Sequence, residues 1–218
     1  MSKMLKKNGG DLMSELYLIR HAQSKANSQR IMASRQAFPL TDAGKADADL
    51  IASQLYETIQ IDRIISSPLN RAMQTAASFA DLYNLEIEVD ERISEQELGK
   101  YSGMTYDQVK KEEQYETVTS RRWDWVPEGG GESYRMIADR VRSFFDSFSM
   151  DAPDKILIVT HAVTFRLIRA VLENTLPEYP ESFPNNGEIW KVDFKGIGQH
   201  HSIESLLLGN SRDFAHNP

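Results

Sequence analysis

Short runs of apolar residues alternate along the chain with longer segments in which apolar residues recur every three or four positions. The runs at residues 16–19, 61–65 and 155–160 are typical of strands, and the last is apolar enough for burial on both faces of a sheet. The longer segments indicate helices, the first of which begins after the capping residue Thr41, and Leu50 and Leu82 are expected on inward faces. Helices are predicted at about 42–56, 69–83, 106–116, 134–148 and 163–173, and further strands at about 86–90, 188–195 and 202–208.

This order of elements predicts an α/β fold, a three-layer α/β/α sandwich with a mainly parallel central sheet. The last two strands are expected to finish the sheet in antiparallel fashion. Residues 14–212 are interpreted as a single domain with a cap or insertion at about 95–130 over one edge. Residues 1–13 are expected to be an N-terminal tail without the apolar core of a secretory signal, and residues 213–218 a C-terminal tail.

Charge and cysteine content narrow the classes of partner. The 25 basic and 32 acidic residues leave a net charge of -7, so nucleic acid and anionic membranes are disfavoured as partners. No apolar run is long enough to span a membrane. The absence of cysteine excludes disulfides, thiolate metal sites and a cysteine nucleophile, and it fits a cytoplasmic location. No sequence pattern sets the oligomeric state.

Cations and imidazoles follow the predicted strands at the points where these strands end. Arg20 and His21 end the first strand, a Ser-Ser-Pro segment leading to Arg71 ends the second, and His161 follows the strand at 155–160. A single Arg-His pair is equally compatible with a strand followed by a solvated loop. However, the carboxyl ends of neighbouring parallel strands lie at one sheet edge, where helix N-termini also favour anions. The sequence therefore predicts an anion site at this edge.

Two arginines at one locus favour a dianion such as phosphate. The remaining histidines, at positions 200, 201 and 216, lack the spacing of a zinc site, so neither a metal nor another cofactor is expected. Phosphoryl chemistry without a metal requires a nucleophile and an acid from the protein. A neutral imidazole can supply the first, and Glu95 or Glu97 can supply the second.

Five segments together resemble the histidine phosphatase superfamily, also called phosphoglycerate mutase-like. Residues 18–24 through Asn27 resemble its Arg-His-Gly signature, and residues 39–44 resemble its Pro-Leu-Thr-x-x-Gly segment. The segment at 66–76 is similar to its second-arginine motif, Glu95-x-x-x-Gly99 to its acid loop, and residues 159–161 to its second histidine. Gly130-Gly131-Glu132-Ser133 resembles the segment that precedes the long helix in many phosphatase members. All of these motifs occur in the family order between about 16 and 194.

The resemblance implies a role for each matching residue. His21 would be the nucleophile and carry a transient phosphohistidine, while Glu95, rather than Glu97, would be the general acid and then the base. Arg20, Arg71 and His161 would surround the phosphoryl oxygens. Further donors would be Asn27 and the backbone amide of Ala22 or Ala162. Gln23 and Thr41 would contact the rim of the site, although ordinary turn and capping roles fit them equally well.

Two of these positions depart from the family pattern. Ala22 replaces the usual glycine, and its methyl group is expected to narrow the approach to phosphate slightly without preventing binding. Gln23 stands where glutamate is frequent, which removes a negative charge from the expected rim.

The resemblance leaves three functions open. Arg121-Arg122 is similar to an arginine doublet of the phosphoglycerate mutases and could hold a carboxylate or second phosphate, or form a solvated basic pair. The insertion that follows this doublet in mutases is missing, which favours a metal-independent phosphatase acting on a small phosphorylated metabolite. A mutase and a non-catalytic phosphate-binding module are the alternatives. Sugar phosphates, phosphoglycerate-like acids and nucleotides all remain open as substrates.

Overall fold

The computed structural model describes residues 14–148 and 154–209, so the predicted tails at 1–13 and 213–218 lie outside the described residues. Its six strands are β1 (Ser14–Arg20), β2 (Arg63–Ser66), β3 (Ile87–Val89), β4 (Lys155–Thr160), β5 (Ile189–Phe194) and β6 (Ser202–Leu207). Its α-helices are α1 (Lys25–Ser28), α2 (Asp42–Tyr56), α3 (Asn70–Tyr83), α4 (Tyr106–Val109), α5 (Tyr134–Asp146) and α6 (Ala162–Glu173). Among the described residues, no helix is long and apolar enough to cross a membrane.

The strands form one mainly parallel sheet in the order β3-β2-β4-β1-β5-β6. The first four strands of this order pair in parallel, and β5 and β6 add the antiparallel finish that the sequence predicts. Because β2, β4 and β1 are direct neighbours, their carboxyl ends lie side by side. The predicted α/β fold with a mainly parallel central sheet is confirmed.

Alternating side chains of β1 divide the core between the two faces of the sheet. Leu16 and Leu18 pack with α5 and α6, whereas Tyr17 and Ile19 pack with α2 and α3. Burying one apolar side chain contributes roughly 1.5–3 kcal/mol, so filling both faces of the central strands fixes them firmly. Loops at the ends of these strands therefore stand on a rigid base.

The apolar pattern is wrong at three places on the helices. The helix predicted at 106–116 ends at Val109, its single buried residue, because the following Lys-Lys-Glu-Glu run has no apolar side chain to bury. Leu82 and Leu50 were expected to face inward but are 40% and 50% exposed. In α3 the buried position next to Leu82 belongs to Tyr83, whose hydroxyl donates to the Ile59 carbonyl.

Residues 91–133, which include the segment at about 95–130 expected to be a cap or insertion, contain little regular secondary structure. This segment contains three short 3₁₀ turns, Glu91–Ile93, Gly99–Tyr101 and Thr119–Trp123, together with α4. Gly99 has a φ of +54°, and a Cβ there would lie 2.2 Å from the Glu128 carbonyl oxygen. The glycine of the acid-loop motif is therefore required by its backbone conformation and its close neighbour.

Candidate active site

A cavity of about 260 Å³ opens where β1 and β2 end and α6 begins. The structure brings most of the predicted site residues to its wall, namely Arg20, His21, Asn27, Arg71, Glu95, Arg122 and Ala162. Of the described residues that line the cavity, one is a carboxylate, Glu95, and five are cationic: Arg20, Arg30, Arg71, Lys110 and Arg122. A basic cavity therefore exists in a chain whose net charge is -7.

The His21 ring is held with one nitrogen ready to act as a base or nucleophile. Its Nδ1 lies 2.7 Å from the Ala22 carbonyl oxygen, which can only accept, so the proton belongs on Nδ1. Its Nε2 accepts a hydrogen bond of 3.2 Å from Arg71 Nε. Burial, reinforced by Arg71 and Arg20, lowers the pKa of His21 well below its ordinary value. The imidazole is therefore neutral and keeps its lone pair on Nε2.

His161 lies directly beside His21, with 5.1 Å between the ring centroids. Its Nε2 shares a hydrogen bond of 2.7 Å with the hydroxyl of Ser67, from the segment after β2. Its Nδ1 is buried and has no hydrogen-bond partner among the described residues. Burial and the nearby Arg71 lower the pKa of His161 well below its ordinary value. The second imidazole is therefore also neutral.

Backbone carbonyls orient the two buried arginines. Arg20 Nη1 donates to the Pro184 carbonyl over 2.7 Å, and Arg71 Nη2 donates to the Ser34 carbonyl over 2.8 Å. Burial lowers the pKa of Arg71 to about 10, with Glu95 opposing this shift and Arg20 adding to it. Arg71 thus remains cationic near neutral pH. Two guanidinium groups at one site suit a phosphate dianion.

The Glu95 carboxyl lies at the amino end of α6. Its oxygens accept hydrogen bonds of 3.3 Å from the backbone amides of Val163 and Thr164, and one of 3.0 Å from Gln96 N. This position follows from the helix N-terminus, whose unpaired amides attract a carboxylate.

Glu97, the other carboxylate of the acid loop, is occupied elsewhere. Its Oε1 accepts hydrogen bonds from the hydroxyls of Ser34 and Ser102 and from the Gly99 amide. Glu97 therefore joins the segment around Ser34 to the turn at Gly99 and Ser102. Glu97 does not line the cavity, which separates its position from that of Glu95.

The loop after β1 places Asn27 at the cavity wall. Ser24 caps α1, and its amide and hydroxyl both donate to Asn27 Oδ1, at 2.9 and 2.8 Å. Asn186 Nδ2 donates to the His21 carbonyl over 2.9 Å and to Asn27 Oδ1 over 3.4 Å. One buried amide therefore connects the segments carrying His21 and Asn27.

Ala22 does not obstruct the cavity in the way the sequence suggests. Its backbone is outside the left-handed region, and its methyl packs with Leu40 and Ala48 rather than lining the cavity. Its amide donates to Thr75 Oγ1 over 3.1 Å, so of the two backbone amides considered, Ala162 is the one whose residue lines the cavity. The expected narrowing of the approach to phosphate is wrong.

Four predicted contact residues do not line the cavity: His161, which is fully buried beside His21, and Gln23, Thr41 and Arg121. Gln23 and Thr41 bond to each other over 2.9 Å, and Thr41 also caps α2, which is the capping alternative for this residue. Arg121 is exposed, whereas its neighbour Arg122 lines the cavity and donates to the Tyr115 hydroxyl over 2.7 Å. The structure thus divides the arginine doublet.

Several lining residues carry no signal in the sequence. These residues belong to no motif and to no apolar stripe of a predicted helix. They are Arg30, Ser34, Lys110 and Phe183. Arg30 and Ser34 adopt positive φ values of 57° and 48° in the structure, which their residue types do not indicate. Among the described residues, no group of three or more His, Asp or Glu side chains could hold a metal ion.

Residues 16–202 match the family model of the histidine phosphatase superfamily, branch 1. The chain belongs to this superfamily. The sequence resemblance and the expected class of enzyme, a histidine phosphatase, are thereby confirmed. The chain is 32% identical over 166 residues to a putative phosphoserine phosphatase 2 of Hydrogenobacter thermophilus, covering 73% of this chain and 79% of that protein. It is 30% identical over 168 residues to phosphoglycerate mutase-like protein 4 of Arabidopsis thaliana, covering 75% and 72%.

Solved histidine phosphatases share the fold described above. A mycobacterial glucosyl-3-phosphoglycerate phosphatase in complex with VO3 aligns with a TM-score of 0.76 at 23% identity, covering 88% of this chain and 97% of that one. A mutant phosphoserine phosphatase of Entamoeba histolytica in complex with phosphoserine aligns with a TM-score of 0.74 at 23% identity, covering 88% and 96%. At these identities the likeness concerns the fold alone.

Proposed function

We propose that this histidine phosphatase hydrolyses a small phosphomonoester through a phosphohistidine on His21, with Glu95 as general acid and base. The observation that carries the proposal is the neutral His21 imidazole, whose Nε2 faces the Arg71 guanidinium in a cationic cavity that also holds Glu95. A neutral imidazole is a competent nucleophile, and the fixed cations stabilise charge on the phosphoryl oxygens.

In the first step, the Nε2 lone pair attacks phosphorus and the bond from phosphorus to the leaving oxygen breaks. The leaving oxygen takes the proton of the Glu95 carboxylic acid. The contact between Arg71 and Nε2 gives way, so that Arg20 and Arg71 donate to phosphoryl oxygens instead. The buried Nδ1 of His161 would gain an oxygen partner. In the second step, the Glu95 carboxylate accepts a proton from water, the resulting oxygen attacks phosphorus and the P–N bond breaks, releasing phosphate.

The number of cations in the cavity supports a substrate with a second anionic group. Arg30, Lys110 and Arg122 line the cavity in addition to the two arginines beside His21, and a phosphate dianion alone does not need five cations. Phosphoserine, and the phosphoglycerate unit in the names of the related enzymes, carry a carboxylate as well as a phosphate. We therefore assign the substrate to small phosphorylated acids, with nucleotides and neutral sugar phosphates as poorer alternatives.

Hydrolysis of p-nitrophenyl phosphate in the presence of EDTA tests the phosphatase reaction without a free metal. The wild-type protein is expected to release nitrophenol, and His21→Ala is expected to lose at least about 10³-fold in kcat, as removal of a nucleophile requires. Retained activity in His21→Ala would show that the nucleophile is another group. A complete lack of turnover in the wild type would instead favour the non-catalytic phosphate-binding module.

The mutase alternative rests on Arg122, the residue of the doublet that lines the cavity. 3-Phosphoglycerate incubated with and without 2,3-bisphosphoglycerate separates the two reactions. A phosphatase releases inorganic phosphate from suitable acids, while formation of 2-phosphoglycerate faster than phosphate release would establish the mutase.

A further inference from the structure

A charged cluster lies behind the loop that carries Glu95. It consists of Glu132, the glutamate of the Gly-Glu-Ser segment before α5, together with Arg35 and Arg140. Glu132 accepts hydrogen bonds from Arg35 Nη2 at 2.8 Å and from Arg140 Nε at 3.1 Å. The side chains of Glu132 and Arg140 are each only 15% exposed. None of these three residues lines the cavity.

Both arginines of the cluster also hold the backbone of Glu95. Arg35 Nε donates to the Glu95 carbonyl over 3.1 Å, and Arg140 Nη2 donates to the same oxygen over 3.4 Å. Glu132 holds both guanidinium groups in the orientation in which they reach this carbonyl, and Arg140 is held in addition by donating to the Arg92 carbonyl over 2.6 Å. The carboxylate of Glu132 thus acts on Glu95 through two arginines.

The same glutamate fixes the residues that follow Glu95. The Glu97 amide donates to Glu132 Oε2 over 3.1 Å, and the Glu132 amide donates to the Glu97 carbonyl over 2.8 Å. Gln96 Nε2 donates to the Glu132 carbonyl over 2.7 Å. The two residues after Glu95 are therefore bonded to Glu132 by its backbone and its side chain, a strong constraint on a segment without regular secondary structure.

Glu132 is held in its charged form. Burial alone would raise its pKa, but Arg140, the Glu97 amide and Arg35 together lower the pKa of Glu132 below its ordinary value. A neutral side chain of the same shape would leave two guanidinium groups, one largely buried, without their counterion. They would then reorient, and the Glu95 carbonyl would lose its fixed donors.

We propose that Glu132 is a positioning residue for the general acid: it orders Arg35 and Arg140, which in turn fix the Glu95 backbone so that the carboxyl stays directed at the leaving oxygen. This inference rests on the proposed function, since it requires Glu95 to deliver a proton. A group that positions an acid matters most when the leaving group is a poor one, because a stable leaving anion needs little protonation.

The test compares kcat/KM for p-nitrophenyl phosphate and for an alkyl phosphate such as phosphoserine, because this ratio covers the steps through departure of the leaving group. Glu132→Gln is expected to lose about 10- to 100-fold on the alkyl phosphate and less than about 3-fold on p-nitrophenyl phosphate. Glu95→Gln should show the same selectivity with a larger loss. Glu128→Gln is the matched control, because the Glu128 side chain is 66% exposed and its carboxylate pairs with Lys100 on the surface; both of its activities should be unchanged.

Equal losses on both substrates in Glu132→Gln would mean a merely structural role and would overturn the inference. If Glu95→Gln is selective and Glu132→Gln is not, the inference fails while the proposed function stands. If Glu95→Gln itself shows no selectivity, the acid role in the proposed function is wrong. Should Glu132→Gln fail to fold, Arg35→Lys removes the Nε donor to Glu95 at a side chain that is 34% exposed, and it must show the same selectivity.

Discussion

Individual residues decide whether the cavity can carry out phosphoryl transfer. His21 owes its neutral state to burial among arginines and its tautomer to one backbone carbonyl. Ala22 shows how a departure from a family motif is absorbed, since its methyl fills space between Leu40 and Ala48 instead of the phosphate approach. The backbone at this position is outside the left-handed region, so a side chain can replace the glycine of the motif.

Replacing Ala22 by glycine should weaken the fold rather than improve the site. The loss of one buried methyl and the added backbone freedom are expected to lower the free energy of unfolding by about 1–2 kcal/mol. The change in kcat/KM should stay within about 2-fold, and urea unfolding measures the stability. A clear gain in kcat/KM without loss of stability would mean that the methyl obstructs phosphate after all.

The two buried histidines should resist protonation. Their pKa values are lowered by burial, so the unfolded chain binds protons between the ordinary value of 6.5 and the folded values while the folded chain does not. Stability is therefore fully present above that ordinary value and is lost as the pH falls through this window. At pH 6.5, where an ordinary imidazole is half protonated, ¹⁵N NMR with His21→Ala for assignment should show both rings neutral. Two protonated rings at this pH would contradict the described environment.

At the scale of elements, the loop between α6 and β5 completes the site from a distance in the sequence. Pro184 supplies the carbonyl that orients Arg20, and Asn186 bonds to the His21 carbonyl. Arg166 of α6 anchors this loop by donating to the Glu181 carbonyl and by stacking 4.0 Å from the ring of Phe183. The parallel strands thus present the reactive groups, and a late loop holds them in orientation.

Asn186→Ala should therefore impair turnover, and its neighbour supplies the control. A lost buried hydrogen bond costs about 1–3 kcal/mol, which predicts a fall in kcat of about 10- to 100-fold with a small change in KM. Asn185 donates from its side chain to the Leu208 carbonyl instead, so Asn185→Ala should keep the wild-type kcat. Equal losses in both variants would show that only the loop as a whole matters.

The whole molecule combines an acidic surface with a cationic cavity. Although the net charge of the chain is -7, the cationic side chains in the cavity attract an anionic substrate locally. Since the cavity holds three cations besides the two arginines beside His21, we expect these three to act on the second anionic group of the substrate.

Lys110→Gln and Lys111→Gln test this charge distribution. Lys110 lines the cavity and Lys111 does not, although both are exposed. Lys110→Gln should raise KM for phosphorylated acids by about 5-fold, the effect of one ~1 kcal/mol partly exposed ion pair, and the difference should shrink at high salt. Lys111→Gln should leave KM unchanged. The same rise in both variants would point to general charge attraction.

The sequence predicted the parts of the site that sheet topology brings together. His21, Arg71 and His161 follow strands that become neighbours, so their convergence could be inferred before any coordinates. The positions of Arg30, Lys110 and Asn186 in the site could not be found in this way. A contact such as that of Asn186 with His21, 165 positions apart, leaves no periodic signal in the sequence. The helix predicted at 106–116 ends early for a related reason, since helix propensity without an apolar face does not extend a helix.

The most direct test of the account is to trap the phosphorylated protein by rapid quenching with a ³²P-labelled phosphomonoester. The account predicts an acid-labile, base-stable phosphate that maps by peptide mass spectrometry to His21 and is absent from His21→Ala. Phosphate on another residue, or substrate turnover with no trapped phosphoenzyme at any time, would contradict it.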